Sequence, residues 1–332
     1  MKMYPGNESE KPVIRTVIDD LKQRNHINGR TIQVADKGLN CIDNILHALK
    51  AGDGYIFSKS VKMLPEVEKT WVLLENDYID IKNRDGKVLY RMKECVDDFV
   101  YTYTDGNGRR KSIKLREKRV VTYNPKLAEK QNYEINKQVE KAKALRACEA
   151  KKSEDGDSAK YVSFVAADKK GMKTDGKIKV EMNDKAIENA KRLAGYNMMV
   201  TSEINMPASE IYAVYHNLWR IEESFRVMKS QLDARPVYLQ KEATITGHFL
   251  ICYLTVLLTR LLQIYVLGDQ YGTEEIFDFI RDFRVVKVSD RKYINLTRNS
   301  CFIKQLAAKT ALPLTSYFLG NEDINRVLSH RF

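Results

Sequence analysis

The sequence predicts an α/β protein with a β-rich insertion, and three stretches carry that expectation. Residues 31–58 read as strand, helix, strand. Residues 78–121 alternate β-type runs with hairpin turn signals. Residues 207–266 hold two long apolar-periodic helical stretches. A strand–helix–strand unit is the building block of an α/β sheet, and Asp-Gly pairs between apolar runs mark hairpins.

In chain order, Glu10 to Arg24 is predicted helical, with Val13, Val17 and Leu21 at helical spacing. Asn28-Gly29 signals a turn before a short strand, Thr31 to Asp36, that ends in an acid. Ile42 to Leu49 reads as helix and Gly54 to Ser58 as a second strand. Four strands follow, at Tyr78–Ile81, Val88–Met92, Phe99–Thr104 and Ser112–Val121, with turns at Asp85-Gly86 and Asp105-Gly106-Asn107-Gly108. Pro125 to Ala150 is a charged helix whose apolar residues are too sparse for heptads, and Lys151 to Ser158 a loop. A strand at Tyr161–Val165, a helix at Asp184–Leu193 and a buried strand at Tyr196–Ser202 come next.

Pro207 and Ser209-Glu210 open one long helix that Arg235-Pro236 ends. Its predicted apolar stripe is Ile211, Val214, Leu218, Ile221, Phe225, Met228 and Leu232, with Glu222 at its edge. A very apolar helix spans about Ala243 to Val266. Within it, Ala243 to Thr259 is free of formal charge but contains four threonines, Gly247 and His248 and is short for a membrane span, so a buried core helix is expected. A helix near Thr273–Arg281 and a strand near Arg284–Val288 complete what periodicity reveals.

Composition narrows the function classes. The net charge of +12 and pI of about 9.2 favour a polyanionic partner, nucleic acid before an anionic membrane surface. Five scattered cysteines without a Cys-x-x-Cys pair argue against a disulfide framework or zinc site and suit a reducing cytoplasm. The N-terminus has no apolar signal region. His216 and His248 have no partner at ligand spacing, so helix-surface or core roles are expected.

The most informative stretch is YHNLWRIEESFRVMK, Tyr215 to Lys229. On a continuous helix Tyr215, Leu218, Glu222 and Lys229 fall within roughly 60° of one another, with Arg226 about 20° from Tyr215. An acid between a phenol and an ammonium can handle a phosphate and a metal; an amphipathic helix with a charged edge shows the same spacing. A second basic signal is Arg109 to Arg119, with seven basic residues and one acid. There Ser112, Lys114 and Arg116 alternate with Ile113 and Leu115, as on a phosphate-contacting strand or a solvated, charge-protected edge.

Tyr215-x2-Leu218-x3-Glu222-x6-Lys229, with Trp219-Arg220-Ile221-Glu222-Glu223, Phe225-Arg226 and Lys229-Ser230 around it, resembles the Tyr–Arg–Glu–Lys signature of bacterial insertion-sequence transposases of the DDE class (the IS-four superfamily). Arg235-Pro236-Val237-Tyr238 and Gly247-His248 resemble the branch with a long β-rich insertion. Ala35-Asp36-Lys37-Gly38-Leu39-Asn40 resembles the motif around that family's second catalytic aspartate, and Tyr4-Pro5-Gly6-Asn7-Glu8-Ser9-Glu10 the segment before it.

The resemblance implies a ribonuclease-H-like mixed sheet, incomplete on its N-terminal side, with a β-rich insertion and a helical C-terminal region. The implied division is residues 1–66 for a partial core with the second aspartate, 67–180 for the insertion, 181–270 for the rest of the core, and 271–332 for the C-terminal region. It implies Asp36 and Glu222 as catalytic, metal-binding acids, because phosphodiester attack needs charge neutralised on the entering and leaving oxygens and Mg²⁺ or Mn²⁺ prefers carboxylate oxygens. It implies Tyr215 and Lys229 on DNA phosphate, with Arg226 within reach of it, and Trp219 either stacked on an unpaired base or packed in the core. Double-stranded DNA, both transposon ends and target, is the implied partner, bound by a homodimer in the bacterial cytoplasm, with neither a membrane nor a small-molecule substrate.

Two features depart from the pattern. Leu218 stands where the signature has arginine, which loses a phosphate contact or shifts it to Arg220 or Arg226. No candidate for the first aspartate precedes Asp36, since Asp19 and Asp20 lie in a predicted helix. The expectation is an N-terminally truncated transposase that does not cut DNA alone. A non-catalytic DNA-binding or transposition-inhibiting remnant is the alternative.

Overall fold

The computed structural model describes residues 4, 8–145, 161–167, 177–297 and 300–331. The predicted loop Lys151–Ser158, the end of the charged helix after residue 145, and Pro5-Gly6-Asn7 lie outside the described residues. The chain divides into two compact units, Gly6–Leu218 and Trp219–Phe332 with Met1–Pro5, each described by itself.

The first unit is built on a six-stranded mixed sheet. It starts with helix α1 (Glu10–Arg24), strand β1 (Ile32–Ala35), helix α2 (Ile42–Lys50) and strand β2 (Gly54–Lys59). β1 and β2 are parallel, with Ala35 level with Phe57, as a strand–helix–strand crossover requires. Helix α3 (Glu66–Leu73), which periodicity missed in its charged sequence, leads to β3 (Ile79–Lys82), β4 (Val88–Thr104) and β5 (Arg110–Tyr123). After α4 (Pro125–Leu145), the hairpin β6 (Val162–Ala167) and β7 (Lys177–Met182), and α5 (Asp184–Arg192), the strand β8 (Tyr196–Thr201) enters the sheet. The order is β1-β2-β8-β5-β4-β3, antiparallel beyond β2. This is the mixed, helix-flanked sheet of a ribonuclease-H-like fold.

Where two strands were expected at Val88–Met92 and Phe99–Thr104, β4 runs unbroken for 17 residues. Lys93, Glu94, Asp97 and Asp98 hide the alternation, but the backbone ladder needs none, and charges are matched locally. Asp98 faces Lys114 at 3.2 Å and Glu94 faces Lys118 at 3.2 Å. The Lys93 ammonium bonds the Leu74 carbonyl at 2.7 Å. The turn after β4 is set by Asp105 Oδ1, which accepts from the Asn107 and Arg109 N–H groups, and by Gly108 at φ +75.

Core packs on both sheet faces. Ile45, Ala48, Tyr55, Phe57, Val72, Val121 and Met198 form one cluster. Ile56, Val120 and Met199 pack on Ile211 of helix α6 (Ala208–His216) on the other. The single helix predicted from residue 207 to Arg235 is interrupted. The Asn217 N–H still reaches Ala213, four back, but the Leu218 N–H turns to Tyr215, three back, and a new helix α7 (Trp219–Ser230) starts.

The second unit carries α7, α8 (Glu242–Leu261) with a π-helical turn at Leu262–Val266, α9 (Thr273–Asp282), β9 (Val285–Ser289), β10 (Lys292–Asn295), α10 (Cys301–Thr310), β11 (Phe318–Gly320) and α11 (Asn321–Ser329). The apolar stripe predicted for α7 is shifted. Val227 is buried, while Ile221 and Phe225 are 53% and 56% exposed, because the interruption resets the helical phase. α8 differs from the expected buried helix. It buries Cys252, Val256 and Thr259, but Ile251, Leu254 and Leu258 on other sides remain exposed. Glu242–Val266 is long and apolar enough to cross a membrane by length and composition.

Candidate active site

Asp36 follows the last residue of β1. Because β1 and β2 run parallel with Ala35 beside Phe57, the next pair along is Asp36 and Ser58, and the Ser58 hydroxyl donates to Asp36 Oδ1 at 3.0 Å. The Lys37 N–H donates to the same oxygen at 2.7 Å and the Tyr215 hydroxyl of α6 at 3.1 Å. The Asn40 amide donates to the Ser58 carbonyl at 2.8 Å, and the Leu39 N–H to the Asp36 carbonyl at 3.0 Å, so the turn is tied to the end of β2. The carboxyl ends of parallel strands are where open α/β sheets place their sites.

Burial pushes the Asp36 carboxyl up, but the hydrogen bonds from Lys37, Ser58 and Tyr215, with the Lys37 charge, outweigh it and hold the group below the usual carboxylate range. All three bonds fall on Oδ1. Oδ2 takes none of them, which leaves a hard, ionised oxygen at an exposed position. That chemistry fits a divalent cation such as Mg²⁺. Among the described residues no group of three His, Cys, Asp or Glu side chains gathers at one point.

In the second unit, α7 presents two acids differently. Glu222 is exposed in the first turn, near the positive end of the helix dipole. Glu223 turns inward to Arg260 of α8 at 2.9 Å, with both side chains largely covered. Arg260 also donates to Gln263 Oε1 at 2.6 Å. The inward acid is thus committed to holding α7 on α8. Glu222, Arg226 and Lys229 all stay exposed at positions i, i+4 and i+7 of α7, on one side of that helix.

Tyr215 sits on α6, not on that helix, so the four-residue face expected on one continuous helix is split by the interruption at Asn217-Leu218. What the first unit assembles is Tyr215 on Asp36. Trp219 is 44% exposed and lines an apolar groove of about 430 Å³ between α7 and α8, with Phe225, Tyr253 and Leu257. Arg220 lies 3.9 Å from Asp269, while Arg226 is 74% exposed, its guanidinium 3.9 Å from Glu223. His216 stacks on Tyr212, and His248 sits beside Phe249. Periodicity did not mark Ser58 or the Glu223–Arg260 pair. Ser58 could have been found as the residue opposite Asp36 once β1 and β2 were taken as parallel neighbours.

The family model for the transposase DDE domain matches residues 1–259. No curated protein sequence matches the chain. Transposases of this family act on DNA by polynucleotidyl transfer and generally use a divalent metal. With well over half of its length matched, and with an ionised aspartate at the carboxyl end of the parallel strand pair, the chain belongs to the transposase DDE domain family.

Proposed function

We propose that the chain supplies two of the three acids of an insertion-sequence transposase, Asp36 and Glu222, and that these 332 residues alone bind DNA without cutting it. The observation that carries the reading is Asp36, kept ionised by Ser58, Lys37 and Tyr215 in a member of this family. Bound Mg²⁺ or Mn²⁺ would neutralise charge on the entering and leaving oxygens of the phosphodiester. In the full reaction, hydrolysis at a transposon end frees a 3′-hydroxyl, which then attacks target DNA. The resemblance provides no aspartate before Asp36, so metal binding by this chain is weak.

Tyr215 steadies Asp36 and would meet a scissile phosphate brought to it. Lys229 and Arg226 hold phosphate by charge, and Trp219 stacks on an unpaired base. Sheet alternation supports a duplex track. Ile32, Val34 and Ile56 pack on one face with Val120. The same parity puts Asp36 and Ser58 on that face and, running toward and past the amino end of β1 and β2, Arg116, Lys114 and Arg110 of β5. Lys114 and Arg116 are 66% and 64% exposed. The Tyr–Arg–Glu–Lys branch, the division at residues 66, 180 and 270, a homodimer on DNA and a bacterial cytoplasmic setting belong to this reading.

Binding of the purified chain to a duplex carrying the ends of its own element tests it. Affinity should fall steeply with salt, and a Lys114→Ala/Arg116→Ala/Lys229→Ala variant should lose affinity and show a shallower salt slope. A chain that does not bind duplex DNA, or a variant that binds as tightly as wild type, overturns the reading.

A further inference from the structure

Residues after 259 lie beyond the family match, and the last part of the chain has a core of its own. Leu267, Ile276, Phe302, Ile303, Leu306 and Leu314 form it. Its antiparallel sheet has the order β11-β10-β9. Directly opposed residues share a face, so the register defines two sides. One row is Lys287, Tyr293 and Leu319, and the next is Val286, Ile294 and Phe318. Leu319 is 3% exposed and Tyr293 is half-buried, which turns that end of the first row inward, while Lys287 reaches solvent.

The second row faces out, and it is apolar. Phe318 is 70% exposed and Val286 47%, and Val288, which the register shift at Lys292-Tyr293 leaves without an opposed residue, is 60% exposed. Tyr317 precedes the strand and pairs with Asn295 rather than lying in this row, but its ring is 62% exposed and meets Phe318 edge-on, with ring centroids 4.9 Å apart. The same side carries a cation at each end. Lys292 lies opposite Gly320, and Arg284 lies opposite Leu296, whose N–H it accepts at its carbonyl. Both are exposed. From 283 to 332 the sequence holds nine Lys or Arg against three Asp or Glu, a marked share of the chain's net +12.

An apolar surface with two open aromatic rings set edge to face, bounded by cations and set in a basic module, matches a polyanion that can offer its own flat apolar faces. Unpaired bases do so, and a duplex hides them. We propose that this sheet face binds single-stranded DNA, with bases stacked on Phe318 and Tyr317 and phosphates drawn to Arg284 and Lys292. This contact is separate from the duplex track of the first unit.

Fluorescence anisotropy of the full chain with labelled oligothymidylate, and separately with duplex, tests the proposal. Each ring's removal, Phe318→Ala or Tyr317→Ala, should weaken oligothymidylate binding roughly ten-fold, within the range of a lost base–aromatic stack. Phe318→Trp should keep it, and Arg284→Ala/Lys292→Ala should flatten its salt dependence. Duplex affinity and thermal unfolding should stay as in wild type, since the rings are exposed. Wild type that fails to bind oligothymidylate overturns the proposal. So does a double ring variant that binds as wild type does, or one that loses duplex binding in equal measure. A ring variant that turns a dimer into a monomer in sedimentation while keeping oligothymidylate affinity also overturns it, because a second copy would then be the occupant.

Discussion

The Tyr215 hydroxyl donates a 3.1 Å hydrogen bond to Asp36 Oδ1, joining residues 179 positions apart. It links the aspartate motif near the start of the chain to the first residue of the Tyr–Glu–Lys signature.

Removing that hydroxyl should loosen the ionised state of Asp36. In Tyr215→Phe the carboxyl keeps its bonds from Ser58 and Lys37 but loses one of the three that hold it low, so its pKa should rise toward the ordinary value while staying below that of Ser58→Ala/Tyr215→Phe. A carboxyl held low in the folded state contributes stability above its unfolded pKa and loses it as pH falls through the folded one, so this substitution should narrow the acid range of folding. The cost at neutral pH should be about 1 kcal/mol. Carboxyl-carbon NMR titration of Asp36 reads the shift.

The neighbouring acids of α7 should separate stability from function. Glu223→Gln leaves the partly covered Arg260 without its ion partner and should cost roughly 2–3 kcal/mol in urea unfolding. Glu222→Gln, at an exposed position in the first helical turn, should cost under about 1 kcal/mol. Equal losses from the two substitutions would contradict the assignment of Glu222 to the site and Glu223 to packing.

Asp53 should dominate acid sensitivity in the first unit. Burial pushes its carboxyl up, but Lys22 at 2.7 Å, with bonds from Thr31 and Gln33, brings it down to about 2. From the ordinary 3.8 this corresponds to about 2 kcal/mol of stability. It is present above about pH 4 and lost as pH falls toward 2. Asp53→Asn should therefore be destabilised at pH 7, with the gap to wild type closing through that window in denaturation at stepped pH.

Glu117 should be indispensable to the sheet. It is fully buried and accepts from Tyr55 at 2.5 Å and Tyr101 at 2.8 Å, beside Arg119 at 3.6 Å. Burial, then the Glu117 charge and hydrogen bond, keeps both phenols protonated far above their usual range. Glu117→Leu leaves two covered hydroxyls without their acceptor and Arg119 with Glu68 as its remaining ion partner, and should cost about 3 kcal/mol or more in thermal or chemical unfolding.

How far the sequence foretold all this depended on whether signals were local. The 31–58 strand–helix–strand unit was legible because alternation, turn residues and a terminal acid sit together, and Asp36 emerged at its expected strand end. The interruption at Asn217-Leu218 was not, since neither residue breaks a helix by itself and the apolar periodicity runs on past it. The inward turn of Glu223 depends on Arg260, 37 residues later. Strands β10 and β11 are four and three residues long, too short for a periodic signal, and their shared face appears only when the register sets Ile294 beside Phe318.

The most direct test incubates the purified chain in Mg²⁺ with duplex DNA carrying its element's ends and resolves the strands on a denaturing gel. Bound but uncut DNA is expected, for wild type as for Asp36→Asn and Glu222→Gln. Nicking at the element ends by wild type, abolished by either substitution, would show that these 332 residues already hold a complete catalytic centre and would contradict that expectation.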